Sequence, residues 1–141
     1  MILKSNSPRE TQKIAADLAR KIIKTKKGAV IALEGELGAG KTVFAKGFAK
    51  ALGIKSKIKS PTFVLMKKYN VPGAISLYHL DCYRIGDHKD LKIPELKEIL
   101  DASHNIVLIE WAERVEEILP KKHIKIHIDH INKNTRKIII K

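Results

Sequence analysis

Residues 35–42 read Gly-Glu-Leu-Gly-Ala-Gly-Lys-Thr and fill every fixed position of the phosphate-loop pattern G-x-x-x-x-G-K-[ST], with Gly35, Gly40, Lys41 and Thr42 at the fixed sites. Glycines let successive backbone N–H groups curl toward one point without Cβ obstruction. A helix starting near Lys41 aims the positive end of its dipole at the same point. The pattern carries chemistry when it follows a strand and opens a helix. Both flanks comply. GAVIALE before the loop reads as a buried strand over residues 29–34, and TVFAKGFAKAL after it reads as a helix with Phe44, Phe48 and Leu52 on one face. In that setting Glu36, Leu37, Gly38, Ala39 and Gly40 form a backbone cradle for phosphate. Lys41 reaches the β- and γ-phosphates, and the Thr42 hydroxyl ligates Mg²⁺.

The rest of the chain reads as one α/β domain over residues 1–141. Ser7-Pro8-Arg9-Glu10 is a capping box with proline at the first helical position. Ile14, Leu18 and Ile22 then recur every four residues beside Ala15 and Ala19, and Gly28 is a plausible stop. Glu10 and Thr11 are polar at the start of this helix, where such residues cap or face a ligand. Pro61 sets Thr62 at the entry to a strand, FVLMKKY. Asn70-Val71-Pro72-Gly73 turns, and AISLYHLDCYRI returns as its antiparallel partner. DHKDLK and PELKEIL read as short helices, NIVLIE as a buried central strand, and AERVEEIL as a short helix ended by Pro120. HIKIHIDHI alternates strictly, with Ile124, Ile126 and Ile128 on one face, and TRKIIIK closes the fold as a last strand. The expected architecture is a P-loop NTPase-like mixed sheet with antiparallel hairpins, flanked by helices.

Composition narrows the class. No apolar run reaches membrane-spanning length and no signal peptide opens the chain, so a soluble cytoplasmic protein is expected. The single cysteine, Cys82, excludes an internal disulfide framework and reads as a small packed residue. Net charge is +13, from 28 Lys and Arg against 15 Asp and Glu, which either attracts nucleotide, nucleic acid or an acidic partner or is a solvated lysine-rich surface with no specific partner. Aromatics at 5 % argue against a platform that stacks base after base. His123, His127 and His130 lie close together, but no cysteine or acid cluster completes a metal set. They read as exposed polar residues.

A phosphate loop needs a partner acid at the end of a neighbouring strand to serve Mg²⁺. Two qualify: Asp81 after SLYHL and Glu110 after NIVLI. Glu110 is the better placed, because a carboxylate closing an apolar strand is costly to bury without a cation or donor. Pairing to a lysine or arginine is the alternative for both, with Arg84 the obvious partner of Asp81. Trp111, the only tryptophan, either packs in the core or shields the phosphate end of the site and fixes Glu110. Thr62 either belongs to a loop ordering over the γ-phosphate or simply marks a strand-entry turn.

GELGAGKT, SPTF, HLDCYR and IEWAE, in this order and at these spacings, resemble the small bacterial P-loop proteins of the TsaE family. The likeness runs from about residue 7 to the TRKIII strand. It implies an ATPase component of tRNA threonylcarbamoyladenosine biosynthesis that binds and slowly hydrolyses ATP with Mg²⁺. It implies action with two sugar-kinase-like partners, TsaB and TsaD, in support of turnover and not as the transferase. By motif match, Lys41 and Thr42 hold phosphate and Mg²⁺. Asp81 and Glu110 serve the metal and the attacking water, Thr62 belongs to a switch loop, and Trp111 is needed for activity. Thr11 and the Arg136 region flank the nucleotide, and tRNA is met indirectly or weakly.

Three other readings compete. A small-molecule kinase closes an arginine-bearing lid, and arginine is sparse here. A GTPase selects guanine with Asn-Lys-x-Asp, whereas Asn132-Lys133-Asn134-Thr135 lacks the aspartate. A basic RNA-binding module fits the charge, yet no recognised RNA-binding motif appears.

Overall fold

The computed structural model describes residues 1–36, 38–55, 66–73, 75–83 and 93–141. Seven strands form one sheet: β1 (Ile2–Ser5), β2 (Ala29–Glu34), β3 (Met66–Val71), β4 (Ile75–Asp81), β5 (Asn105–Glu110), β6 (Ile124–His130) and β7 (Arg136–Ile140). Their spatial order is β1-β7-β6-β2-β5-β4-β3. β6, β2, β5 and β4 run parallel, and the antiparallel β1, β7 and β3 complete the two edges. This is the expected mixed sheet, with the 66–81 hairpin antiparallel as read from the sequence.

Central strands are buried on both faces, which is why they look like unbroken apolar runs. Ile31, Leu33, Ile106, Leu108, Ile126 and Ile128 share one core with the helices α1 (Pro8–Thr25) and α2 (Lys41–Ala51). Val30, Ala32, Val107 and Ile109 pack on the other face with Leu96 and Leu100 of α3 (Ile93–Asp101) and with Val115. Alternation by two along each strand therefore serves two layers of cover.

α1 starts as its capping box dictates. The Ser7 hydroxyl accepts from the Glu10 N–H at 3.1 Å, and the Glu10 carboxylate accepts from the Asn6 N–H at 2.7 Å. Its buried line differs from the expected one. Thr11, Ala15, Ala19 and Ile22 face inward, and Ile14 and Leu18 are only half-buried. Close helix–helix approach is the reason. A Cβ on Gly47 of α2 would lie 2.5 Å from the Cα of Gln12, so small residues must line this contact. α1 also ends earlier than Gly28, at Lys26, which takes the left-handed conformation at φ 56. Gly28 instead donates its N–H to the Ser103 carbonyl at 2.5 Å.

Three further expectations change. The sequence pattern carries no sign of β1, a four-residue edge strand held by β7. AERVEEIL forms two single-turn 3-10 helices, Ala112–Arg114 and Glu116–Ile118, because Val115 at φ −130 is buried and interrupts the turn. His123 and His127 are half-buried and hydrogen-bonded, not exposed, whereas His130 is exposed. The expected DHKDLK helix, Arg84 and the 60–65 entry to β3 lie outside the described residues.

The Gly47 contact yields a prediction of sign. Helix propensity alone favours Gly47→Ala by about 1 kcal/mol. Overpacking against the α1 backbone costs about 1–3 kcal/mol or more and should win. Urea unfolding should therefore show Gly47→Ala less stable than the parent.

Candidate functional site

The phosphate loop leaves β2 at Glu34 and enters α2 at Lys41, at the carboxyl ends of four parallel strands. Gly35 sits at φ 146, and a Cβ there would collide with the Ile128 carbonyl of β6. Only glycine fits this approach. Gly40 caps α2 in the left-handed region and offers no side-chain hydrogen bond to its first turn. Gly40 thus leaves the first-turn N–H groups of α2 without a cap of its own, and such groups readily take an anion.

Lys41 bends back over the loop. Its Nζ donates to the Gly35 carbonyl at 2.5 Å and to the Glu36 carbonyl at 2.8 Å, and lies 3.9 Å from the centre of the Trp111 ring. Burial lowers its pKa from the usual lysine value, opposed by the charges of Glu113, Glu110, Asp81 and Glu36. Trp111 reaches this place through a left-handed backbone at φ 59, packs at a 48° tilt against the Tyr83 ring with centroids 4.9 Å apart, and carries Arg114 at 5.6 Å from its ring.

Glu110 ends β5 and is only 2 % exposed. Its Oε1 accepts from the Thr42 hydroxyl at 3.0 Å, and its Oε2 meets His79 Nε2 at 2.5 Å. Asp81 is the register partner of Glu110 on β4, and its Oδ1 accepts the Tyr83 N–H at 3.0 Å. Both strand-tip acids thus stand beside the loop. Thr42, Asp81 and Glu110 supply hard oxygen donors of the kind Mg²⁺ takes.

On the opposite flank, Arg136 staples the loop to the β6–β7 turn. Its Nε donates to the Ala39 carbonyl at 3.0 Å, and its Nη1 faces the carbonyls of Asn132, Lys133 and Thr135 at 3.2–3.3 Å. A cleft of about 260 Å³ lies here, lined by Asn6, Thr11, Gly40, Val43, Asn134 and Arg136 among others. Thr11 is buried, and its hydroxyl shares a 2.7 Å hydrogen bond with that of Ser5. Glu36 and Gly38 are exposed, and Ala39 is buried. Leu37 and Thr62 lie outside the described residues.

Sequence reasoning missed two residues at the site. His79 is 1 % exposed against Glu110. Glu113 accepts the Gly35 N–H at 3.3 Å. Each stands inside a motif singled out above, HLDCYR and IEWAE; for His79 the signal is an ionisable residue between Tyr78 and Leu80, whereas Glu113, next to Arg114, carries no such signal. Cys82 is fully buried and its thiol is pushed up to about 12 by desolvation, which suits packing and not nucleophilic chemistry.

A strand, a glycine loop and a helix, with a carboxylate from the adjacent parallel strand against the loop threonine, define a P-loop NTPase-like α/β protein. The family model described as threonylcarbamoyl adenosine biosynthesis protein TsaE matches residues 5–138, and the chain belongs to that family. It is 42 % identical over 133 residues to the tRNA threonylcarbamoyladenosine biosynthesis protein TsaE of Bacillus subtilis, covering 94 % of this chain and 79 % of that one. The Haemophilus influenzae protein of the same name is 37 % identical over 106 residues, covering 75 % of this chain and 66 % of that one. The crystal structure of Bacillus subtilis YdiB superposes with a TM-score of 0.77 at 38 % identity, covering 98 % of this chain and 82 % of that one. No described helix is long and apolar enough to cross a membrane.

At the base of the loop, His127 bridges Glu34 at 2.9 Å and Asp129 at 2.7 Å. Burial alone would lower its pKa, but hydrogen bonds to Glu34 and Asp129 and their charges raise it above the usual 6.5. A raised folded value stabilises below the unfolded value, and that stabilisation is lost as pH rises through the folded one. His127→Gln should therefore destabilise most below about pH 6.5, with the gap closing at higher pH. Solvent screening keeps the gap under about 1 kcal/mol. Urea unfolding across pH measures it.

Proposed function

We propose that this chain binds ATP with Mg²⁺ and hydrolyses it slowly, and that this ATPase supports turnover of a complex with TsaB-like and TsaD-like proteins in tRNA threonylcarbamoyladenosine formation. One observation carries the reading: the Thr42 hydroxyl donates to buried Glu110 at the head of a helix whose first turn lacks a side-chain cap. The family and its relatives' names supply the pathway.

The residues divide the work by position. Amides of Gly38, Gly40 and the first turn of α2 cradle phosphate oxygens, whereas the Ala39 N–H, expected from the sequence to join them, donates to the Glu36 carbonyl at 3.0 Å. Lys41, already held at the loop mouth, offsets charge on the β- and γ-phosphates. Thr42, Asp81 and Glu110 would hold Mg²⁺, which supplies neutralisation of charge on the phosphate oxygens. Glu110 or Asp81 orients the water for in-line attack on the γ-phosphate. Trp111 shields the lysine end of the site. The cleft beside Gly40, with Thr11 and Arg136 on its walls, suits the nucleoside, and Thr62 joins as a switch threonine by family resemblance. Lysines outside the site give the chain its affinity for acidic surfaces, and tRNA is met indirectly or weakly within the complex.

Trp111 offers a direct test, since it is the only tryptophan and touches Lys41. Adding Mg²⁺-ATP should change its fluorescence in a saturable way, and added GTP should compete poorly. Lys41→Ala should abolish that response and lower turnover about 10²-fold or more. A pull-down with TsaB-like and TsaD-like proteins should recover the complex with ATP and lose it for Lys41→Ala. Failure to recover those partners with or without ATP would refute the pathway role.

A further inference from the structure

The imidazole of His79 sits where packing alone would call for a hydrocarbon. It lies on the face of β4 that also carries Leu77, opposite Leu108 of β5, and it is 1 % exposed. One ring nitrogen, Nε2, meets Glu110 Oε2 at 2.5 Å. The other, Nδ1, is buried with no hydrogen-bond partner among the described residues. A buried polar atom without a partner lowers stability, so such a residue is kept for some other reason. The remaining oxygen of Glu110 faces Thr42, and that contact is the one the proposed nucleotide site depends on.

We propose that His79 is a positioning residue for Glu110: its Nε2–H donates to Oε2 and fixes the carboxylate plane so that Oε1 keeps facing the Thr42 hydroxyl. The need follows from the glutamate side chain itself. Its terminal torsion is broad and nearly two-fold, so a carboxylate held at one oxygen alone swings. A donor on each oxygen removes that freedom. His79 thereby sets the lone pairs of Thr42 indirectly, since the hydroxyl proton is committed to Oε1 and the hydroxyl oxygen is turned outward. This is the outer-shell arrangement that tunes metal ligands. The inference rests on the reading of Thr42 and Glu110 as a Mg²⁺-nucleotide site.

Two conservative substitutions separate positioning from packing. Glutamine places its amide N–H near the position of Nε2, whereas asparagine places its amide near Nδ1 and falls short of Glu110. Nucleotide affinity is measured by calorimetry for wild type, His79→Gln and His79→Asn, in EDTA and in Mg²⁺. All three should bind alike in EDTA, where loop amides and Lys41 hold the phosphates. In Mg²⁺, His79→Gln should keep the wild-type gain and His79→Asn should lose about 10–100-fold. An undiminished gain in His79→Asn, or an equal loss in both variants, overturns the proposal. A wild-type protein that binds nucleotide equally with and without Mg²⁺ would instead overturn the reading of the site. A nucleotide-free measurement then judges His79 by itself, and serves also if a variant fails to fold. Imidazole ¹⁵N resonances of the wild-type protein should show the proton on Nε2, and Glu110→Gln should move that resonance. A proton on Nδ1 alone, or no response to Glu110→Gln, overturns the positioning role.

Discussion

Everything at the loop end of the sheet is arranged around a carboxylate that has been taken out of water. Glu110 closes a strand whose six residues are all buried, and an ion there is tolerated only when donors surround it. Two come from different directions, Thr42 on the first turn of α2 and His79 on β4. The pairing links loop helix, central strand and neighbouring strand at one point. It also restricts register. Sliding β4 by one residue along β5 would turn His79 to the other face and strand the acid without its second donor.

Charge is distributed unevenly over the molecule. The chain as a whole is strongly basic, yet Lys41 is surrounded by Glu36, Asp81, Glu110 and Glu113. A local acidic ring inside a basic shell attracts a cation to the strand tips and anions everywhere else. A triphosphate carrying its own metal matches that pattern better than either a bare anion or a bare cation. Burial of Lys41 belongs to the same design. Desolvation disfavours its charged form, and the four acids and two loop carbonyls around it offset that cost.

Features that depend on local rules are legible in the sequence. The glycine loop, the capping box at Ser7, the apolar run 105–110 and the alternation of Ile124, Ile126 and Ile128 each follow from spacing, and the structure places them as spacing dictates. What escaped depends on contacts far apart in sequence. β1 exists because β7 pairs with it, and four residues carry too little pattern to announce themselves. The alanine line of α1 faces inward because Gly47 lets α2 come close, a fact no window on α1 contains. His127 is held by Glu34, 93 positions away, so its strand alternation gave only its face and not its partner. His79 and Glu113 lay inside recognised motifs, but a role for either requires knowing which strand tips converge.

Arg136 and Ala39 are separated by 97 positions, and Ile2 lies across from Ile139 in the sheet. The grip on the back of the glycine loop is therefore supplied by a segment that is synthesised long after the loop itself. A nascent chain that has emerged only through β5 already possesses the loop, its lysine and its glutamate, but lacks the arginine that clasps the turn. Long-range closure of this kind is slow compared with local turns and helices. The clasp on the loop is thus deferred until β6 and β7 have been made.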